Sequence, residues 1–138
     1  MAKKKNPVIK YLSSTESFTG RVLTGKVTGR TFVKLAPDTG NQWDADATLP
    51  VVTAAAGDVP AGVAAWDRDS ADELNPHTVT VIREAYLSVT AGEALAAGDL
   101  IAVGADGKAV KAAEGARSFG TAMRAAQIDT PAMIALSL

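Results

Sequence analysis

The feature that most constrains this chain is an internal repeat written in small residues. The segment Val52-Thr53-Ala54-Ala55-Ala56-Gly57-Asp58-Val59-Pro60-Ala61-Gly62-Val63-Ala64 aligns with Val110-Lys111-Ala112-Ala113-Glu114-Gly115-Ala116-Arg117-Ser118-Phe119-Gly120-Thr121-Ala122 at an offset of 58, with Val, Ala, Ala, Gly, Gly and Ala coinciding. Upstream, Gly29-Arg30-Thr31-Phe32-Val33 lies on Gly98-Asp99-Leu100-Ile101-Ala102 at an offset of 69, which makes the first copy 11 residues longer around residues 37–48. Downstream, Thr78–Glu84 corresponds to Ala132–Leu138. Two degenerate copies of one unit must bury their apolar faces against each other, so the pattern predicts one domain with a pseudo-twofold relation.

The unit is β in character. Thr31–Leu35, Thr78–Arg83, Tyr86–Val89, Leu100–Val103, Lys108–Lys111 and Ala132–Leu136 are short runs with alternating or β-branched apolar residues. Gly, Asp, Asn and Pro separate them at intervals of roughly 8–12 residues, the spacing of an all-β domain. Asp106-Gly107 marks a tight turn into Lys108–Ala112, because its central residues need positive φ. Capping-box spacing at Ser70–Glu73 and Thr90–Glu93 predicts one or two short helical turns, cut off by Pro76 and Gly98. Alanine also permits helix across 108–126, which Gly115 and Gly120 oppose.

Composition narrows the chemistry. Of 138 residues 47% are hydrophobic, but aromatics make up only 5%, so Val, Leu, Ile and Ala must form the core. With no cysteine and one histidine, disulfides, thiolate catalysis and multi-histidine metal sites are excluded. No apolar run approaches the 18 residues of a membrane span, and the start MAKKKNPVIK lacks a secretory apolar stretch. The net charge of −1 conceals a segregation: residues 1–34 carry six Lys and two Arg against Glu16 alone, whereas residues 35–138 carry six basic and fourteen acidic side chains. A basic arm on an acidic body predicts an arm that meets an acidic partner.

Three constellations invite a chemical interpretation. Gly20–Lys26 approximates a phosphate-binding loop, but Val27 occupies the hydroxyl position and no helix follows. Asp67–Glu73 begins like a calcium loop, yet Asp72 and Thr78 stand where glycine and bidentate glutamate belong; it reads as a solvated acidic loop, as do Asp44 and Asp46. His77 has no nucleophile elbow to serve, and Trp43 and Trp66 read as anchors. These residues assign no catalytic, cofactor or metal site. An acidic body without interleaved basic and aromatic residues also disfavours direct nucleic-acid binding.

The second copy carries a further pattern. Val89-Thr90-Ala91-Gly92-Glu93-Ala94-Leu95-Ala96-Ala97-Gly98-Asp99-Leu100-Ile101 leads through Asp106-Gly107-Lys108 to Phe119-Gly120-Thr121-Ala122 and a last strand. It resembles the small Ala/Gly-rich capsid decoration proteins of tailed bacteriophages, well over residues 86–138 and more weakly over 28–84. The expected fold is mainly β: a compact β-barrel, β-clip or β-tulip-like domain over residues 18–138. Its two pseudo-repeats span about 18–84 and 85–138, and residues 1–17 form an extended N-terminal arm. The resemblance implies a non-enzymatic virion protein without cofactors, made in the host cytoplasm, that binds the outer surface of an assembled head and stabilises it.

Its implied partners are the major capsid protein and itself, as a homotrimer at threefold and quasi-threefold sites, with no direct nucleic-acid or membrane contact. The arm residues Lys3, Lys4, Lys5, Val8, Ile9, Lys10, Tyr11 and Leu12 are the candidate capsid contacts: the lysines for acidic rims, the apolar residues for adding a strand to a sheet edge. Two other readings stay open. One is a ligand-binding or lyase-like β-clip domain with Trp43, Trp66 and His77 around a pocket; the other is a different virion part, such as a head fibre or tail tube.

Overall fold

The computed structural model describes residues 16–37 and 48–138. The candidate contacts Lys3 to Leu12 and the loop residues Trp43, Asp44 and Asp46 lie outside the described residues. Among the described residues eleven strands follow in chain order: β1 (Glu16–Arg21), β2 (Lys26–Val27), β3 (Phe32–Leu35), β4 (Leu49–Thr53), β5 (Gly62–Ala64), β6 (Arg68–Asp69), β7 (Thr78–Thr90), β8 (Leu100–Val103), β9 (Ala109–Lys111), β10 (Gly120–Ala122) and β11 (Pro131–Ser137). Glu16 and Ser17, expected in the arm, begin β1.

The strands close into two small rings that share one strand. In the first, β1, β4, β3, β5 and β7 are hydrogen-bonded in that order, and β1 pairs back onto β7. In the second, β7 continues to β11, β10, β8 and β9, and a parallel bridge from Ala91 to Ala109 brings β9 back to the end of β7. The runs expected as separate strands at Thr78–Arg83 and Tyr86–Val89 are therefore one strand of 13 residues. Its first half closes one ring and its second half opens the other. Arg83 is the extra residue where Glu16 pairs with Glu84 and Ser17 with Ile82, a bulge at the junction of the copies.

The two rings share their hydrogen bonds position by position. Ala54 N–H to the Phe32 carbonyl recurs as Ala112 to Leu100; Ala61 to Val33 recurs as Phe119 to Ile101; Arg30 to Ala64 recurs as Gly98 to Ala122. Val22 to His77 likewise recurs as Ala91 to Thr130. Strand pairing fixes the true register. Val33 opposite Gly62 and Thr53 matches Ile101 opposite Gly120 and Lys111. The offset from β3 to β8 is thus 68, one less than the sequence alignment gave, and the loop after β3 is ten residues longer than its counterpart. The last strands are also displaced by one, since Thr78 corresponds to Pro131.

The reason for the misalignment is burial on two faces. Phe32 and Ile101 are both completely buried, so matching them looks right in sequence. But Val33, not Phe32, points into the first ring with Val22, Val51, Ala64, Val79 and Val81. Its counterparts Ala91, Ile101, Ala109, Ala122, Ala132 and Ile134 belong to the second core. A one-residue slip in a strand exchanges inside for outside.

Phe32, Ala54, Val63 and Ile82 lie on the outer face of the first ring and join the core of the second, beside Ala85, Leu87, Val103, Phe119 and Leu136. Two backbone bonds seal this junction: Thr90 N–H to the Arg30 carbonyl at 2.8 Å and Gly57 N–H to the Val103 carbonyl at 3.1 Å.

The glycines show why the repeat is legible. A Cβ on Gly62 would lie 2.6 Å from the Ile82 carbonyl oxygen, and one on Gly120 would lie 2.6 Å from that of Ala135, the equivalent atom. The expected tight turn is present, with Asp106 at φ 59° and Gly107 at φ 72°, and Lys108 N–H bonded to the Ala105 carbonyl. It forms the 3₁₀ turn Ala105–Gly107. The helical turns expected at 70–73 and 90–97 are absent among the described residues. Local side chains take the backbone N–H groups instead. Asp72 Oδ1 accepts from Leu74 and Asn75, and Asp99 Oδ2 accepts from Ala96.

Candidate functional site

Among the described residues, a concave surface lies at the open end of the first ring, where the described chain begins. It is a groove of about 600 Å³. Phe18 of β1, Leu35 at the end of β3, Leu49 at the start of β4 and the Val59-Pro60-Ala61 segment before β5 supply its apolar wall. Leu35, Leu49 and Val59 are exposed, which is unusual for three neighbouring apolar side chains unless something covers them. Charged side chains at the rim pair among themselves. Lys34 Nζ lies 2.9 Å from Asp58 Oδ2, and Arg83 Nε lies 3.6 Å from Glu16 Oε1. The hydrogen bond from Lys34, with a second from the Ala55 N–H, holds the Asp58 carboxyl below its ordinary value. Arg83 Nε is itself buried without a hydrogen bond.

The first described residues of the chain lie at this groove. The arm's candidate contacts precede Glu16 and Ser17, which line the groove. The groove's own residues are scattered from position 16 to position 83, so no local sequence signal marks it; only the exposed apolar Leu35 and Val59, set against the repeat, hint at it.

The other sequence candidates resolve into structural roles. Gly20 and Arg21 lie in β1 and Lys26 and Val27 in β2, so no helix follows the glycine-rich segment. Gly20 is required because a Cβ would come within 2.9 Å of Val51 Cγ2. In the acidic loop, Asp67 Oδ1 accepts the Gly29 N–H at 2.7 Å, Asp69 Oδ1 accepts from Ala71, and Asp72 Oδ2 accepts from Asn75 Nδ2 at 2.7 Å. The first ties the segment after β2 to the start of the acidic loop, and the other two are local to that loop. The Asn75 side-chain bond, reinforced by the Leu74 N–H, holds the Asp72 carboxyl below its ordinary value.

Trp66 and His77 do not converge. Trp66 Nε1 and Arg68 Nε both donate to the Thr78 carbonyl, with the Arg68 guanidinium 5.4 Å from the indole centre. The His77 ring engages the Asp72 carbonyl at 2.7 Å through Nε2. Neither residue lines the groove or the smaller hollow beside the acidic loop. Among the described residues no helix is long and apolar enough to cross a membrane.

Comparison with known proteins places this geometry. No protein-family model matches the chain, and no curated protein matches it. Among solved structures, it is similar to the N base of the head fibre gp8.5 of bacteriophage phi29. The two are 25% identical with a TM-score of 0.69, over 90% of this chain and 95% of that one. The resemblance carried by residues 86–138 and the likeness of the whole fold concern different features of the chain. Both lead to the phage head. The likeness also extends over the first copy, where the sequence pattern alone was weak.

Proposed function

We propose that this chain is a structural protein of a phage virion that attaches to the outer surface of the assembled head. It does so as a homotrimer at threefold and quasi-threefold positions, and it stabilises the shell. The observation that carries this is the fold likeness to a head-fibre base across nearly the full length of both chains. The basic arm supports it. Residues 1–15 carry four lysines and no acidic residue, and the first described residues of the chain, Glu16 and Ser17, line an apolar groove. Lys3, Lys4, Lys5 and Lys10 supply attraction to an acidic capsid rim, while Val8, Ile9, Tyr11 and Leu12 supply strand-forming contact. The role requires no reaction and no cofactor.

The same likeness favours a second form of the proposal, in which the domain is the base from which a head fibre projects. Both forms share attachment to the head and differ in what the base carries.

Electron microscopy of capsids mixed with the purified chain tests the attachment. Density on threefold or quasi-threefold positions is the expected result, and bare capsids at saturating protein would defeat it. Deleting residues 1–15 should abolish that density while leaving the domain folded; undiminished binding would remove the arm from the attachment role.

A further inference from the structure

The two copies make one contact with each other that neither makes a second time. The outer face of the first ring, formed by Phe32, Ala54, Val63 and Ile82, covers the end of the second ring at Ala85, Leu87, Val103, Phe119 and Leu136. Position by position, the second ring presents the same outer face through Leu100, Ala112, Thr121 and Ala135, with Met123 in the place of the half-buried Ala65. Nothing among the described residues covers it, and Leu100 is 52% and Met123 48% exposed.

The first ring, in turn, presents the same end through Phe18, Leu35, Ala61 and Arg83, in the places of Leu87, Val103, Phe119 and Leu136. Those four residues line the open groove. Each chain therefore carries one unsatisfied face and one unsatisfied seat. They are duplicates of the two halves of an interface already formed inside it.

We infer that the groove at Phe18, Leu35 and Ala61 is the seat for the Leu100–Thr121–Ala135 face of a second copy of this chain, repeating between chains the contact made within each. Charge agrees with this. The groove's rim neutralises itself through the Lys34–Asp58 and Glu16–Arg83 pairs, and the incoming residues Leu100, Ala112, Thr121, Met123 and Ala135 bring no charge.

The backbone agrees as well. Leu35 stands where Val103 stands and Gly115 where Gly57 stands, so the Gly57-to-Val103 bond has its counterpart between the Gly115 N–H and the partner's Leu35 carbonyl. A face on one side and a seat on the other make a heterologous contact, which generates a closed ring when the rotation closes. Closure at three gives six ring units around one axis. This inference rests on the self-association in the proposed function, and it specifies the surfaces.

The test is sedimentation of the full chain. The single variants Leu100→Asp and Leu35→Asp should each weaken association by about 30-fold or more, as expected for a charge placed at an interface centre. Leu74→Asp, at a side chain 93% exposed in the acidic loop, should leave assembly unchanged. An equimolar mixture of Leu100→Asp and Leu35→Asp chains decides the geometry. The first retains its groove and the second its face, so the mixture should form a one-to-one dimer and no larger species.

A mixture that stays monomeric would overturn the pairing. Assembly of both single variants as tightly as the wild type would place the contact elsewhere and leave the trimer reading standing. If Leu35→Asp alone had an effect, the groove would belong to another occupant, the chain's own arm foremost. A wild type that is monomeric at all concentrations yet still decorates capsids would refute the contact and keep the head attachment.

Discussion

The two rings solve one packing problem with exchanged volumes. In the first, Gly20 of β1 lies beneath Val51, and a Cβ at Gly20 would come within 2.9 Å of it. In the second, the place of Gly20 is taken by Val89 and that of Val51 by Ala109, both completely buried. Large meets small in each ring, with the large side chain on opposite strands. A core filled to native density constrains the sum of neighbouring volumes more tightly than any one residue. That is why the copies keep the same hydrogen bonds while sharing few side chains.

The contrast is sharpest outside the rings. Copy one is covered where copy two is open, on the outer face, and copy two is covered where copy one is open, at the ring end. Phe32 is inaccessible while its counterpart Leu100 is 52% exposed. Equivalent positions in the repeat therefore have opposite energetic weights.

The largest expected effect would break the equivalence of the rings themselves. Gly62→Val and Gly120→Val each force a side chain against a backbone carbonyl that the sheet holds in place. Each should cost at least about 3 kcal/mol, by overpacking a site with no room to relax. Urea denaturation should show the two losses to be similar; a tolerated valine at either position would mean that the close strand approach is not shared.

Next comes the outer face. Phe32→Ala should destabilise by about 3–5 kcal/mol, the range for a buried aromatic. Leu100→Ala should change stability by under about 0.5 kcal/mol in dilute solution, as for a surface site. Equal costs in the same denaturation experiment would erase the asymmetry between the copies.

A smaller effect tests the exchanged volumes. Gly20→Ala should cost about 1–3 kcal/mol, and Val51→Ala in the same chain should recover part of it, with a coupling of about 1 kcal/mol in a double-mutant cycle. Strict additivity would show that the two positions do not share a volume.

The smallest effect distinguishes the copies by pH. Asp58 is held below its ordinary value of 3.8 by Lys34, so its contribution is present above that pH and disappears as pH falls through the lowered value. Lys108 is raised above 10.5 by its hydrogen bond from Nζ to Asp129 Oδ1 at 2.8 Å, so its contribution is present below that pH and is lost as pH rises through the raised value. Asp58→Asn should flatten only the acid limb of a stability profile and Asp129→Asn only the alkaline limb. Both groups lie at the surface and are partly open to solvent, so the changes should be slight and should shrink further in high salt.

Much of the β framework was legible because its signals are local. Period-2 runs marked β3, β8 and β11, and Asp106-Gly107 marked its turn. The paired glycines at 62 and 120 marked two strand crossings of the same kind. The helical turns were misplaced because capping spacing at 70–73 and 90–93 records where carboxylates sit, not which N–H groups they take. Asp72 caps its own turn, and Glu93 reaches the Lys111 N–H across the ring. The groove was barely legible. Its wall is assembled from β1, β3, β4 and the segment before β5, residues brought together only when the first ring closes.

By itself the sequence determined that the chain is a duplicated, mainly β unit of small residues with its positive charge at one end. Alternation, turn chemistry and the steric demand for glycine act over a few residues, so they survive in a linear pattern. Only the tertiary structure decided that Thr78–Thr90 is one strand serving both rings, that the repeat register is 68 and not 69 across β3, and which copy buries its outer face. Burial inside a ring and burial against a neighbouring ring demand the same apolar side chain. A string of residues records that Phe32 and Ile101 are hydrophobic, and only the closed strands show that they reach the second core from different sides, Ile101 from inside its own ring and Phe32 from the outer face of the first.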